Sequence, residues 1–170
     1  MTSEIHSEHP FATPVELRDP ARRLRGRLAS GVTVITTGVL PRAAGLTVSP
    51  VLVAEGLPAR ILALISEELL DDIEVTGRFV VHVLGQEEQA LSERFAGVRP
   101  SPGGLFADLD VLQSDHGPIV QTIGTRAACS VERSLPVGHH TLLIGVVDSI
   151  ELDELSDPLV YHRGRYRRLR

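Results

Sequence analysis

The stretch RILALISEELLDDIEVTGRFVVHVLG, from Arg60 to Gly85, places two apolar runs on either side of an acidic segment. The apolar runs, residues 61–65 and 79–84, have the aliphatic and β-branched content of buried strands. Five carboxylates lie between them, on Glu67, Glu68, Asp71, Asp72 and Glu74. Ser66 is a favoured helix N-cap, and acids in a first turn interact favourably with the helix dipole. The stretch therefore predicts a strand, an acidic helix and a second strand.

The start of this helix also bears on ligand binding. Free N–H groups at a helix N-terminus form a natural site for a phosphate. Glu67 and Glu68 would oppose such a ligand, since like charges a few ångströms apart repel by about 1–4 kcal/mol, depending on exposure. An arginine partner, from Arg60, Arg78 or the C-terminal cluster, would offset that repulsion. The sequence leaves open whether such a partner is in place.

Length and composition indicate an ordinary globular domain. The chain has 170 residues, 42% of them apolar and 23% charged, with a net charge of −5. No apolar run is long enough to span a bilayer and no secretory signal is visible, so the cytoplasm is the expected compartment, with no membrane partner. Cys129 is the single cysteine, which excludes an intrachain disulfide and a cysteine-clustered metal site.

All 17 basic residues are arginine, which excludes mechanisms that need a catalytic lysine. The net negative charge argues against general nucleic-acid binding. The tail HRGRYRRLR is an exception, because it concentrates Arg163, Arg165, Arg167, Arg168 and Arg170. This tail is interpreted either as an edge strand kept soluble by charge or as a patch for the phosphate groups of a nucleotide cofactor.

The rest of the chain alternates strands with few helices. Residues 1–13 show no periodicity and are predicted to form a flexible arm. Asp19 and Pro20 predict the start of a helix that places Leu24 and Leu28 on one face and ends at Gly31. Further strands are predicted in VTVITTG, GLTVS, TRAACSVERS, HHTLLIGVVDSIEL and PLVYHRGRYRRL, and a further helix in EEQALSERFAG.

This order of elements predicts the fold class. About seven strands with two or three helices indicate a mainly β protein, a β-barrel with helical covers. A doubly wound parallel sheet would need a helix after nearly every strand. Pro50 predicts a strand end at an edge or a bulge, and Gly145 predicts a bend in its strand.

Common catalytic motifs are missing from the sequence. It contains no glycine-rich phosphate loop, GxSxG, HExxH or CxxC. His139 and His140 are adjacent on a predicted strand and would point to opposite faces, so they do not favour a metal site. Hydride transfer between two stacked cofactors remains open, because it depends on positioning more than on acid–base side chains.

Six segments, in order, resemble a known family: LASGVTVITTG, GLTVSP, GRFVVHVLG, LSERFAG, GHHTLLIGVV and PLVYHRGRYRRL. Together they resemble the flavin reductase-like family of FMN-binding split barrels, the reductase components of two-component monooxygenases. The resemblance implies a six-stranded antiparallel Greek-key split barrel with flanking helices over residues 14–170. It also implies a homodimer with FMN or FAD near the subunit interface, NADH or NADPH as hydride donor, and a partner monooxygenase that receives diffusible reduced flavin.

The resemblance also assigns roles to residues. A family segment that holds the flavin ring and ribityl chain matches Thr47, Val48 and Ser49, with Pro50 in place of a hydroxyl residue. His140 keeps the place of a histidine near the flavin and nicotinamide, and is the candidate catalytic residue. Its alternative is a strand residue with an ordinary surface hydrogen bond.

The other assignments carry structural alternatives. Ser66 keeps one hydroxyl of the turn that holds the flavin phosphate in the family, and Arg165 belongs to the candidate phosphate patch. His82 matches a cofactor-proximal position, but a histidine in an apolar strand is more often a core residue with a hydrogen-bond partner. Arg94 and Phe95 match a family pair, although a helix end that packs Phe95 into the core explains them equally well.

Two functional hypotheses follow from the sequence. The first is an NAD(P)H-dependent flavin reductase that binds flavin loosely and exchanges it. The second is a non-redox or ligand-binding protein on the same barrel, its pocket reassigned to another small molecule of a biosynthetic pathway, because fold alone does not fix function.

Overall fold

The computed structural model describes residues 19–154 and 156–169. Its helices are α1 (Pro20–Gly26), α2 (Glu67–Thr76) and α3 (Gln89–Phe95), the last preceded by a 3-10 turn at Gln86–Glu88. Its strands are β1 (Ser30–Gly31), β2 (Thr33–Thr37), β3 (Ala44–Val48), β4 (Val51–Ala54), β5 (Arg60–Ile65), β6 (Arg78–Val83), β7 (Val111–Ser114), β8 (Gly117–Val120), β9 (Arg126–Val137), β10 (His140–Glu151), β11 (Val160–His162) and β12 (Arg165–Arg167). The predicted arm, residues 1–13, lies outside the described residues.

The main sheet is antiparallel and curled. Its seven strands follow the order β3-β2-β6-β9-β10-β5-β4. The two edge strands, β3 and β4, are consecutive in the chain and are separated only by Ser49 and Pro50. Since two residues cannot span a flat seven-stranded sheet, the sheet curls until its edges meet. The mainly β class with flanking helices is confirmed.

The predicted count of six strands is not reproduced. Pro50 has no N–H to donate, so the ladder is interrupted between β3 and β4 and one bent run is divided in two. The expected edge position of Pro50 agrees with this arrangement. Two small sheets, β1-β11-β12 and β7-β8, lie outside the main one.

Helix α2 covers the sheet through its apolar face. Leu69 and Ile73, four residues apart, are buried in the main core with Phe79, while the five acids face outward. The helix ends at Gly77, whose φ of 67° favours glycine. Ser66 occupies the N-cap position, but its side chain makes no capping hydrogen bond. The expected capping role of its hydroxyl is therefore wrong.

Helix α1 is shorter than predicted. Asp19 accepts a hydrogen bond from the Ala21 backbone N–H at 2.9 Å, as expected of an N-cap. The helix ends at Gly26 and not at Gly31, which instead lies in β1 and pairs with Val160. Leu24 and Leu28 are both exposed, so they provide no buried stripe to extend the helix.

The core leaves no room for a side chain at Gly145. A side chain at this position would collide with the ring of Phe79. The register between β9 and β10 shifts between Ile144 and Gly145, which confirms the predicted bend. A second apolar cluster, which includes Leu84 and Phe95, packs under α3. Among the described residues, no helix is long and apolar enough to cross a membrane.

Candidate functional site

The segment 47–50 lies where the two edges of the main sheet meet. Val51 pairs with Ala63, so Ser49 and Pro50 lie beside the end of β5. On the other side of β5, Ile65 pairs with Thr141. Ser66 follows Ile65 and His140 precedes Thr141, so the antiparallel pairing places them next to each other. The sheet register therefore brings Ser49, Pro50, Ser66 and His140 to one end of the sheet.

Three of these residues have side-chain donors that the protein does not use. Within the described part of the chain, the side chains of Ser49, Ser66 and His140 make no hydrogen bond to another residue. Ser49 and Ser66 are half-buried and His140 is exposed. These groups can therefore donate hydrogen bonds to a polar ligand at this end of the sheet.

The Thr47 hydroxyl is used within the protein. It donates a hydrogen bond to the Ser92 carbonyl oxygen on α3 at 2.6 Å. The Ser92 hydroxyl in turn lies 2.7 Å from the Tyr166 hydroxyl on β12. Burial raises the pKa of Tyr166, although its hydrogen bond to Ser92 acts in the opposite direction. This chain of contacts joins β3, α3 and the C-terminal hairpin. Val48, next along β3, is buried, and its carbonyl oxygen accepts a hydrogen bond from the Thr33 hydroxyl at 2.8 Å.

Arg94 and Phe95 have structural partners. Arg94 donates from Nη1 to the Ala107 carbonyl oxygen at 2.9 Å. Phe95 is buried and packs edge-on against Phe106, with ring centroids 5.4 Å apart. A Cβ at Gly45 would lie 2.6 Å from the Phe95 ring, so β3 and α3 meet closely only because residue 45 is glycine. These contacts support the structural interpretation of both residues.

His82 is fully buried on β6, which is separated from the strand of Thr47 by β2. Thr47 pairs with Val34, and Val34 with His82. His82 Nδ1 lies 3.2 Å from the Val34 carbonyl oxygen, and Nε2 accepts from the Val120 N–H at 3.2 Å. This assigns the neutral tautomer with the proton on Nδ1. Burial lowers the pKa of His82 to about 4. With both ring nitrogens engaged, His82 fits the core interpretation better than ligand contact.

The acids at the start of α2 are unpaired within the described part of the chain. Glu67 and Glu68 are exposed and form no ion pair with a described residue. Arg60 is engaged by Glu132, with Nη2 and Oε1 2.7 Å apart. Arg78 follows the C-terminal end of α2, about 15 Å along the helix axis from its start. Of the three expected partners, only the C-terminal arginines remain available.

A second polar cluster lies on the outer side of the sheet. Asp148 Oδ2 accepts from Ser130 Oγ at 2.5 Å and lies 2.8 Å from His116 Nε2. Burial alone would raise the pKa of Asp148, but these two hydrogen bonds lower it. A hydrolytic triad needs histidine between serine and aspartate, whereas here aspartate is central. Cys129 is also unreactive, because burial raises its pKa to about 12.

Sequence reasoning missed Ser92 and Tyr166. Ser92 lies three residues before Phe95, on the same buried face of α3. A small polar residue on an apolar helical face indicates a hydrogen-bonded contact, so this spacing carried a usable signal. Tyr166 lies between Arg165 and Arg167 on β12, and the only signal for its contact was the alternation of charged and aromatic residues along this strand.

Comparison with known proteins gives a consistent result. Residues 25–170 match the family described as flavin reductase like domain. The chain is 30% identical over 155 residues to the reductase component of 4-hydroxyphenylacetate 3-monooxygenase from Thermus thermophilus, covering 90% of this chain and 97% of that protein. It is 32% identical over 158 residues to the NADH-dependent FMN reductase AsuE2 from Streptomyces nodosus subsp. asukaensis, covering 90% and 85%.

Solved structures show the same fold. Flavin reductase PheA2 in its native state superposes with a TM-score of 0.79 at 30% identity, covering 90% of this chain and 99% of that chain. The NADH:FAD oxidoreductase SgcE6 from Streptomyces globisporus C-1027 superposes with a TM-score of 0.80 at 23% identity, covering 93% and 99%. At the lower identity, the likeness shows the fold alone.

Proposed function

Because the chain belongs to the flavin reductase-like family, we propose that it transfers hydride from NADH or NADPH to FMN or FAD. The reduced flavin then leaves for a partner monooxygenase, as the names of the reductase components among the relatives suggest. The convergence of Ser49, Pro50, Ser66 and His140 at one end of the sheet is the observation that carries this proposal. The cytoplasmic location stays a prediction.

The free donors at this end of the sheet fit a flavin. When bound, the flavin supplies the hydride acceptor, and the protein supplies position. Ser49 and Ser66 donate hydrogen bonds, while Pro50 contributes an apolar edge without a backbone donor. His140, exposed at the start of β10, would orient the nicotinamide. Thr47 holds β3 against α3 through Ser92 and so fixes the segment that carries Ser49.

One observation favours the second hypothesis, a non-redox ligand-binding protein. Glu67 and Glu68 place negative charge at the helix start that the resemblance assigns to the flavin phosphate. A pocket adapted to another ligand would tolerate this charge. A reductase also tolerates it, because a loosely held flavin is released more readily.

Flavin binding separates the two hypotheses. Titration of FMN, FAD and riboflavin against the purified full chain, followed by flavin fluorescence, should give saturable binding in the micromolar range. Absence of binding to all three at tens of micromolar would contradict the reductase proposal and leave the second hypothesis.

We also propose that the protein is a homodimer. Ser49 and Ser66 are only half-buried and His140 is exposed, and none of the three lines either of two small cavities of the described chain, which have volumes of about 130 and 140 Å³. A three-ring flavin therefore needs further walls. The outer face of the sheet carries apolar neighbours across four strands, on Leu52, Leu62, Leu64, Leu135 and Leu142. A second copy that covers this face would supply those walls.

Leu64→Glu should disrupt the dimer. Leu64 is 37% exposed at the centre of this face, where a buried carboxylate would have no partner. Light scattering after size exclusion should show twice the 18.4 kDa chain mass for the wild type and a monomer for the variant. Leu112→Glu, at an exposed leucine on β7, is the matched control and should stay dimeric. A monomeric wild type would contradict the proposal.

A further inference from the structure

Two distant parts of the chain form one basic surface. We define the arginine patch as the exposed residues Arg22, Arg23, Arg25, Arg27, Arg163, Arg165, Arg167 and Arg168. The first four lie in or beside α1, and the others belong to the C-terminal hairpin. The Arg163 N–H donates to the Gly26 carbonyl oxygen at 2.9 Å, and β1 pairs with β11. These contacts hold the two groups of arginines side by side.

The arginine patch is not neutralised within the described chain. None of its side chains forms an ion pair or hydrogen bond with another described residue. Arg60, Arg99 and Arg126, by contrast, are paired with glutamates. In a protein with a net charge of −5, this arrangement concentrates a positive field on one surface.

A small cavity opens within the arginine patch. Its volume is about 140 Å³, and it is lined by Gln86, Gln89, Leu159, Tyr166, Arg167 and Arg168. Such a cavity admits a phosphate or diphosphate group but not a whole nucleotide. Arg167 and Arg168 both line it, and a guanidinium group carries five N–H donors in a fork that can bind phosphate oxygens in pairs.

The carboxylate that acts on Tyr166, a wall of the cavity, is already paired. Glu93 lies close enough to Tyr166 to affect its pKa. Its carboxylate is paired with Arg99 at 2.5 Å and accepts from Gln89 Nε2 at 2.9 Å. Glu93 therefore does not by itself cancel the charge of Arg167 and Arg168, the two arginines that line the cavity.

Hydrogen bonds link one wall of the cavity to the candidate functional site. Tyr166, one of its walls, contacts Ser92, which accepts the hydrogen bond of Thr47. Thr47 begins the segment assigned to the flavin. A ligand that spans both places must carry a phosphate group at one end and a reacting ring at the other.

We propose that Arg167 and Arg168 bind the diphosphate group of adenosine-containing dinucleotides, with the other arginines of the patch attracting that ligand. NADH, NADPH and FAD share this group, whereas FMN lacks an adenosine diphosphate. The inference rests on the proposed function for its choice of dinucleotides. A concave site in an acidic protein favours this ligand over a nucleic acid.

The test uses ADP-ribose as a probe, without flavin or turnover. Calorimetry on the full chain should show binding, and Arg167→Ser and Arg168→Ser should each weaken it roughly tenfold, the effect of losing one charge-assisted contact. Arg42→Ser removes the same charge from the turn between β2 and β3, and should leave binding unchanged. Thermal melts that match the wild type show that the variants are folded.

Turnover experiments then identify the source of the diphosphate. If Arg167→Ser and Arg168→Ser raise the KM for NADH with FMN as acceptor, the site binds the nicotinamide dinucleotide. If the same substitutions raise the KM for FAD but not the KM for FMN, the site binds the flavin dinucleotide. Either result supports the proposal.

Three results would overturn the proposal. The first is absence of ADP-ribose binding, and the second is equal ADP-ribose binding by the wild type and both variants. The third is that the two substitutions weaken the binding of an oligonucleotide but not of ADP-ribose. A protein that binds ADP-ribose through these arginines but does not reduce flavin would overturn the proposed function alone.

Discussion

Replacing Glu67 and Glu68 together with serine should lower the Kd for FMN about thirtyfold while leaving the Kd for riboflavin nearly unchanged. Both acids are exposed at the start of α2, where the resemblance places the flavin phosphate. Each opposes a phosphate a few ångströms away by about 1 kcal/mol when exposed to water. The N–H groups at the start of the helix are not capped by the Ser66 side chain, so they can bind the phosphate once the opposing charge is removed. Riboflavin has no phosphate and should not respond.

The control for this experiment lies on the same helix. Asp71→Ser combined with Asp72→Ser removes the same charge about one turn further on, and should change FMN affinity much less. Flavin fluorescence titration measures all three proteins. Equal gains for FMN and riboflavin would show that Glu67 and Glu68 lie away from the phosphate.

The second large effect concerns stability at acid pH. His82 is neutral in the folded protein, with its pKa lowered to about 4 by burial and, to a lesser extent, by Arg126, while its Val34 hydrogen bond acts in the opposite direction. The unfolded chain binds the proton near pH 6.5. The contribution of His82 to the free energy of unfolding should therefore be fully present above pH 6.5 and should decrease as the pH drops toward 4. The loss between pH 7.5 and pH 4.5 should be about 2 kcal/mol from this residue.

His82→Asn isolates this contribution. The amide does not titrate, so urea unfolding should show a pH dependence smaller by that amount. At pH 7.5 the variant should also be less stable by about 2 kcal/mol, because asparagine cannot reach both the Val34 carbonyl and the Val120 N–H. The same pH slope in both proteins would show that another group, such as the His116–Asp148 pair, is responsible.

Local pattern was enough to predict much of the fold. β5, α2 and β6 follow directly from apolar runs that flank an acidic amphipathic segment, because burial of one face dictates that pattern. Pro50 and Gly145 were predicted as an edge and a bend for backbone reasons that do not depend on neighbours. The end of α1 was missed, because tertiary pairing of Gly31 with Val160 decided it.

The candidate site was less predictable, because its contacts join residues distant in sequence. The bond between Thr47 and Ser92 spans 45 positions, and the Ser92–Tyr166 contact spans 74. The two partners of His82 lie on separate strands, so the sequence alone could not choose between core and cofactor. The pairing of Arg60 with Glu132, which removes Arg60 as a partner for the phosphate, likewise depends on sheet register.

The most direct test of the reductase function is anaerobic hydride transfer. Purified protein mixed with NADH or NADPH and an excess of FMN or FAD should oxidise one nicotinamide for each flavin reduced. The rate should exceed that of the same mixture without protein by about a millionfold or more, the usual range for enzymes. Flavin that binds but is reduced no faster than in the protein-free mixture, with either nicotinamide, would contradict the reductase function.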